Sequence, residues 1–255
     1  MNCVFAFALN QLFEGNLSKM ELAKIGQQAE HNYGGVQYGI MDQFASLFGK
    51  KDHLMRLDCK TLEYEYYPFQ PNGYKLLLLN SNVKHQLASS AYNQRRQSCE
   101  SVVAALQKRY PEVSLLRDAT LDMIAEVRAE VGEETYKCAA YVLDENNRVM
   151  QTCQALIDND YELVGRLMYE THNGLSKQYE VSCEEMDFLV EQAQACGVTG
   201  ARMMGGGFGG CTINLVQENM AAHFIEQTSS AFQSKFGYTP PLYEVCVSDG
   251  SRQID

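Results

Sequence analysis

Apolar positions recur along the chain with two periods, and the changes of period mark out its elements. The chain opens directly in a helical pattern, "NCVFAFALNQLF". A second helix follows Ser18, which has capping-box spacing to Glu21. In it Leu22, Ile25, Ala29 and Tyr33 recur as one apolar face, ended by Gly34 and Gly35. A third helix, "GIMDQFASLFG", puts Ile40, Phe44, Leu47 and Phe48 on one side. Two strand-like runs come next, "HLMRLDC" and "LEYEYYPF", joined by a polar turn around Lys60.

Pro71-Asn72-Gly73 is the strongest boundary signal and divides the chain into 1–70 and 71–255. "YKLLLLNS" then reads as a buried strand. The region from about Ser90 to Gly197 is mostly helical, with Ser182 and Glu185 spaced as another capping box. A turn rich in glycine leads into the strand "CTINLV", the helix "MAAHFIEQTSSAFQSKFG" and a last strand, "YEVCVS". With the inserted helices set aside, the second part has the order of a split βαβ, ferredoxin-like unit. The predicted class is α+β.

Composition narrows the partners. A net charge of −11 over 255 residues disfavours nucleic acid and anionic membranes, which are held by clustered Lys and Arg. A small phosphate ligand needs only a few local donors and stays open. No run approaches the roughly 18 apolar residues of a membrane span, and "VFAFAL" lacks the basic flank of a signal peptide. Nine cysteines without C-x-x-C pairing point to free thiols in a reducing cytoplasm, not to a disulfide frame or a zinc site.

Four places could carry chemistry. The first is "MMGGGFGGC", in which Gly205, Gly206, Gly207, Gly209 and Gly210 crowd six positions. It satisfies G-x-G-x-x-G formally, but a strand follows it where a dinucleotide fingerprint needs a helix. A tight strand connection and a close approach to a ligand or another loop both account for it. The second is Asp42, which lies opposite the apolar face of its helix and in the first turn, where the helix dipole favours a negative charge. A carboxylate facing water is the simpler reading of it. The third is Glu30, in the last turn of its helix, where the dipole disfavours a carboxylate. Solvent, His31 or a cation would offset that, and a solvated surface glutamate is the simpler reading. Tyr92, beside Ser89 and Ser90, offers a hydroxyl to a sugar or packs on the surface. The five histidines show no metal spacing and no outstanding Ser or Cys partner.

Four stretches together resemble the galactokinases of the GHMP small-molecule kinase superfamily. They are "QQAEHNYGGVQYGIMDQFASLFGKKDHLMRLDC", "LLLLNSNVKHQLASSAYNQRRQSCE", "GRLMYETHNGLSKQYEVSCEEMD" and "RMMGGGFGGCTINLV". The resemblance implies a GHMP kinase fold, with 1–70 as part of an N-terminal domain and 71–255 as the C-terminal domain. It implies ATP and Mg²⁺ as cofactors and phosphorylation of galactose to galactose 1-phosphate. It implies Asp42 as catalytic base or electrostatic partner, Gly39 and Tyr92 as sugar contacts, and Glu30 as a Mg²⁺ ligand. The glycines from Gly205 to Gly210 would lie near the phosphoryl group. Members of the family carry two earlier motifs, a sugar-binding signature and a phosphate loop, that these 255 residues do not contain. The expectation is therefore an incomplete chain with little activity alone, exposing an apolar patch and self-associating. Alternatives are a non-catalytic galactose sensor and a sister kinase for N-acetylgalactosamine or arabinose.

Overall fold

The computed structural model describes residues 2–34, 39–83 and 88–253. Contacts divide the chain into two compact units, Met1–Gln70 with Cys246–Asp255, and Pro71–Val245.

In the first unit, helices α1 (Asn2–Leu12), α2 (Lys19–Ala29) and α3 (Met41–Phe48) gather over a two-stranded antiparallel sheet of β1 (His53–Leu57) and β2 (Tyr64–Pro68). The capping box at the start of α2 forms as spaced: the Ser18 side chain accepts from Glu21 N and the Glu21 carboxylate accepts from Ser18 N. The expected face of α2 differs. Ile25 and Tyr33 are exposed, and the buried positions are Leu22, Ala23 and Gly26. Gly26 is what turns the helix: a Cβ there would stand 2.8 Å from Cys3 Sγ, so its missing side chain admits α1. After Ala29 the helix widens into one π-type turn, Glu30–Gly34; Gly35 lies outside the described residues.

The face expected for α3 is buried as patterned. Ile40, Phe44 and Leu47 join Cys3, Leu22 and Ala23 in one cluster, with Phe48 against it. Phe44 stacks on Phe48 at 4.8 Å between ring centroids, and Tyr64 of β2 meets Phe48 at 5.1 Å. Burying a ring of this size contributes about 3 kcal/mol.

In the second unit, β3 (Tyr74–Asn80), β4 (Gly200–Met203), β5 (Cys211–Gln217) and β6 (Leu242–Val245) form an antiparallel sheet in the order β4-β5-β3-β6. That is the ferredoxin-like order. The strand β3 is paired on both edges, and Leu77 and Leu79 of its apolar run are buried while Leu76 and Leu78 are half-buried. Helices α9 (Glu184–Ala195) and α10 (Ala221–Phe236) bury Leu189, Phe224 and Phe232 against Leu77, Leu79 and Val216 of the sheet. The insert between β3 and β4 also contains α4 (Ala88–Gln107), α5 (Leu121–Glu126), α6 (Arg128–Val131), α7 (Glu133–Ile157) and α8 (Tyr161–Lys177). Four of these segments surround a separate core of Val102, Leu106, Ile124, Val127 and Leu143. Where α8 crosses β4, a Cβ on Gly200 would lie 2.4 Å from Gly165 Cα. Only a pair of glycines lets the backbones approach so closely.

The expected capping box at the start of α9 does not form. Cys183 is the N-cap and makes no side-chain cap bond. Ser182 lies one residue before the cap, and its hydroxyl donates to Asp187 Oδ1 at 2.6 Å.

Candidate active site

Asp42 is exposed in the first turn of α3, opposite the cluster that buries Phe44 and Leu47. The helix is held from its other end. Lys19 Nζ donates to Leu47 O at 2.7 Å, the Tyr66 hydroxyl donates to Phe48 O, and Ser251 donates to Ser46 O through both its N–H (2.7 Å) and its hydroxyl (2.9 Å). Those donors satisfy carbonyls that a helix end leaves open, so the backbone under Asp42 is fixed without any contact to its carboxylate.

Glu30 is half-buried, and its Oε2 accepts from Gln43 Nε2 at 2.8 Å. Gln43 neighbours Asp42 and is 2% exposed, and its Oε1 has no partner among the described residues. This amide ties the two carboxylate-bearing segments together. The signal for it was in the pattern: Gln43 stands four residues before Leu47, on the buried stripe.

Gly39 is exposed, and a Cβ there would meet nothing within 4 Å. It lines a cleft of about 380 Å³ with Lys24, Gln27, Gln28 and Lys60. Tyr92 falls within α4, and its side chain lies outside the described residues.

The five glycines divide into two groups. Gly205 and Gly206 are exposed, whereas Gly207 and Gly209 are buried. At Gly207 (φ +93°) a Cβ would stand 2.2 Å from Val181 O, and at Gly209 (φ +130°) 2.7 Å from Val83 O. Close approach is thus to other loops at these two positions. The Phe208 N–H donates to Val181 O, and Gly210 O accepts from both the N–H and the hydroxyl of Ser81 at 2.8 and 2.9 Å. Phe208 packs on Val181, Met186 and Met203. Among the described residues, no group of three or more His, Cys, Asp or Glu converges as a metal cluster.

Two family descriptions match: GHMP kinases N terminal domain over residues 1–50, and GHMP kinases C terminal over residues 153–232. The galactokinase of Thermotoga maritima is 42% identical over 250 residues, covering 98% of this chain and 69% of that protein. The crystal structure of Lactococcus lactis galactokinase complexed with galactose superposes with a TM-score of 0.91 at 32% identity, covering 99% of this chain and 65% of that one. Mevalonate kinase from L. major, at 17% identity and a TM-score of 0.60, shares the fold. The chain therefore spans about two thirds of the length of the galactokinases it matches. With that identity held along nearly all of its residues, it belongs to the galactokinase family of the GHMP kinases.

Proposed function

We propose that the protein serves ATP-dependent phosphorylation of galactose to galactose 1-phosphate. The observation that carries this reading is the 42% identity to a galactokinase over 98% of the chain. In the proposed reaction the Asp42 carboxylate accepts the proton of the sugar's anomeric hydroxyl, or orients that hydroxyl for attack on the terminal phosphoryl group of ATP. Gly39 and Tyr92 contact the sugar, and the cleft beside Gly39 is of a size that suits a small ligand. The exposed Gly205 and Gly206 bring backbone near the phosphoryl group, and the buried Gly207 and Gly209, with the half-buried Gly210, shape the loop.

Glu30 fits a Mg²⁺ ion held chiefly by substrate phosphates. One carboxylate, steadied by Gln43, is the kind of donor set that Mg²⁺ takes when it binds with a nucleotide. The ion would neutralise charge on the phosphates.

We place the protein in the cytoplasm, a reading supported by its nine cysteines, none of which forms a disulfide. No described helix is long and apolar enough to cross a membrane. We also propose self-association through α1, on which Val4, Phe5, Leu9 and Leu12 are exposed, with Phe13 just beyond.

The test is a coupled ADP-release assay with galactose, N-acetylgalactosamine and arabinose. It is run on the 255-residue chain alone and with a polypeptide spanning the part of the Thermotoga relative that this chain does not match. Little turnover is expected from the chain alone. Galactose-dependent turnover is expected with the complement, falling at least about a hundredfold in Asp42→Asn. A complemented protein that binds galactose and transfers no phosphoryl group would replace the enzyme reading with the sensor reading.

A further inference from the structure

His172, on α8, takes no part in the chemistry proposed for the site, yet it is only 6% exposed. Its Nδ1 accepts the backbone N–H of Met203 at 3.2 Å, across 31 positions of sequence. Met203 is the last residue of β4, and the glycine-rich loop begins immediately after it. With Nδ1 accepting, a neutral ring carries its proton on Nε2. That Nε2 lies 3.1 Å from Asp187 Oδ1, a close contact though not an aligned hydrogen bond.

Asp187 is itself tightly held. Ser182 Oγ donates to Oδ1 at 2.6 Å, Ser176 Oγ donates to Oδ2 at 2.7 Å, and Lys177 Nζ stands 3.7 Å from Oδ2. Burial by itself would raise this carboxyl's pKa. The interactions with His172, Ser182 and Ser176 outweigh burial and hold it well below the usual carboxylate range. The segment that supplies Ser182 reaches the loop a second time, since the neighbouring Val181 carbonyl accepts the Phe208 N–H. The loop is thus fastened at its entry by His172 and in its middle by Val181. Gly205 and Gly206 are left exposed between the two anchors.

We infer that His172 is a positioning residue: oriented by Asp187, it fixes the entry of the glycine-rich loop and so the conformation that Gly205 and Gly206 present. It acts through the Met203 backbone and not by touching substrate. Its bearing on phosphoryl transfer rests on the reading that this loop lies beside the transferred group. The assignment also differs from ordinary core stabilisation in a way that can be measured, because the two ring nitrogens do different work.

His172→Asn keeps an acceptor near the position of Nδ1 and gives up the contact with Asp187. His172→Gln keeps a donor near the position of Nε2 and gives up the acceptor for Met203. The measurement is amide hydrogen exchange on the purified 255-residue protein, read in peptides covering Met203–Cys211, with the global unfolding midpoint recorded alongside. For His172→Gln, about tenfold faster exchange is expected in those peptides, because a buried N–H loses its partner. For His172→Asn, exchange is expected within about twofold of wild type at a similar loss of global stability. Equal acceleration in both variants, or none in His172→Gln, would overturn the inference. Ser182→Ala leaves the ring in place and removes one bond to Asp187. It is expected to raise exchange in the same peptides by about twofold, and no change there would overturn the orienting role of Asp187. No substrate enters these measurements, so their failure is separate from a failure of the kinase reading, which the ADP-release assay decides.

Discussion

Gly207→Ala should be among the most destabilising single-methyl additions in the second unit. Two costs combine at this position. The first is conformational: φ is +93°, and a residue with a Cβ pays about 1–2 kcal/mol to enter that region. The second is steric. The new Cβ would lie 2.2 Å from Val181 O and 2.8 Å from Val181 Cβ. Val181 is 1% exposed, so it has no solvent to retreat into. Moving its carbonyl breaks the bond from Phe208 N–H, and an unsatisfied buried donor costs about 1–3 kcal/mol. The sum is about 2–5 kcal/mol. Gly205→Ala is the matched control, with a similar φ of +72° and nothing within 4 Å of the added methyl. It should cost about 1 kcal/mol. Urea unfolding followed by far-ultraviolet circular dichroism measures both, because most of the helix lies in the second unit. Equal losses for the two variants would show that backbone strain alone governs the loop, and would refute the claim that it is wedged against Val181.

Asp187→Asn tests the same region by pH. A carboxyl depressed in the folded state stabilises the fold above its unfolded value of about 3.9 and loses that contribution as pH falls through the folded value. The stability gap between wild type and Asp187→Asn should therefore be flat above about pH 5 and shrink in stronger acid; a gap that widens in acid would contradict the assignment. Phe44→Ala should cost about 3–5 kcal/mol by chemical denaturation of the first unit, because Phe44 is fully buried under Phe48 and Tyr64. Thiol labelling of the native protein should modify the exposed Cys59 and Cys246 first. Cys99 and Cys183 should lag, because burial pushes their thiols up to about 12 and about 11. Leu12→Glu with Phe13→Glu should lower the apparent mass in light scattering by weakening the proposed association; no change would place that association elsewhere or remove it.

The elements were legible wherever one local signal ruled. The stripe of Ile40, Phe44 and Leu47 and the Ser18–Glu21 box follow from neighbours in sequence, and the ferredoxin-like sheet follows from the succession of strands and helices along the chain. Legibility failed where a distant partner decided. The face of α2 was misassigned because Gly26 carries no apolar signal, yet it is the place where Cys3 enters. The Ser182–Glu185 spacing was a sound local motif that lost its serine to Asp187. His172 gave no sign in sequence, because its meaning lies in a backbone N–H 31 residues away. The glycine cluster read as one device, and its division into exposed and wedged halves depends on Val181 and Val83, which no spacing rule connects to it.

The bond from Ser251 to Ser46 spans 205 positions, and that from Lys51 to Asp249 spans 198. Between the two ends of each bond lies a unit with a core of its own. A growing chain releases its early helices first, but α3 cannot receive Ser251 until everything through Val245 has been made. The later unit can finish folding while the earlier one still waits for its last strap. This inverts the usual order in which N-terminal parts complete first. Closure across so long a separation is also slow, so the helix that carries Asp42 would be among the last parts of the molecule to acquire its final support.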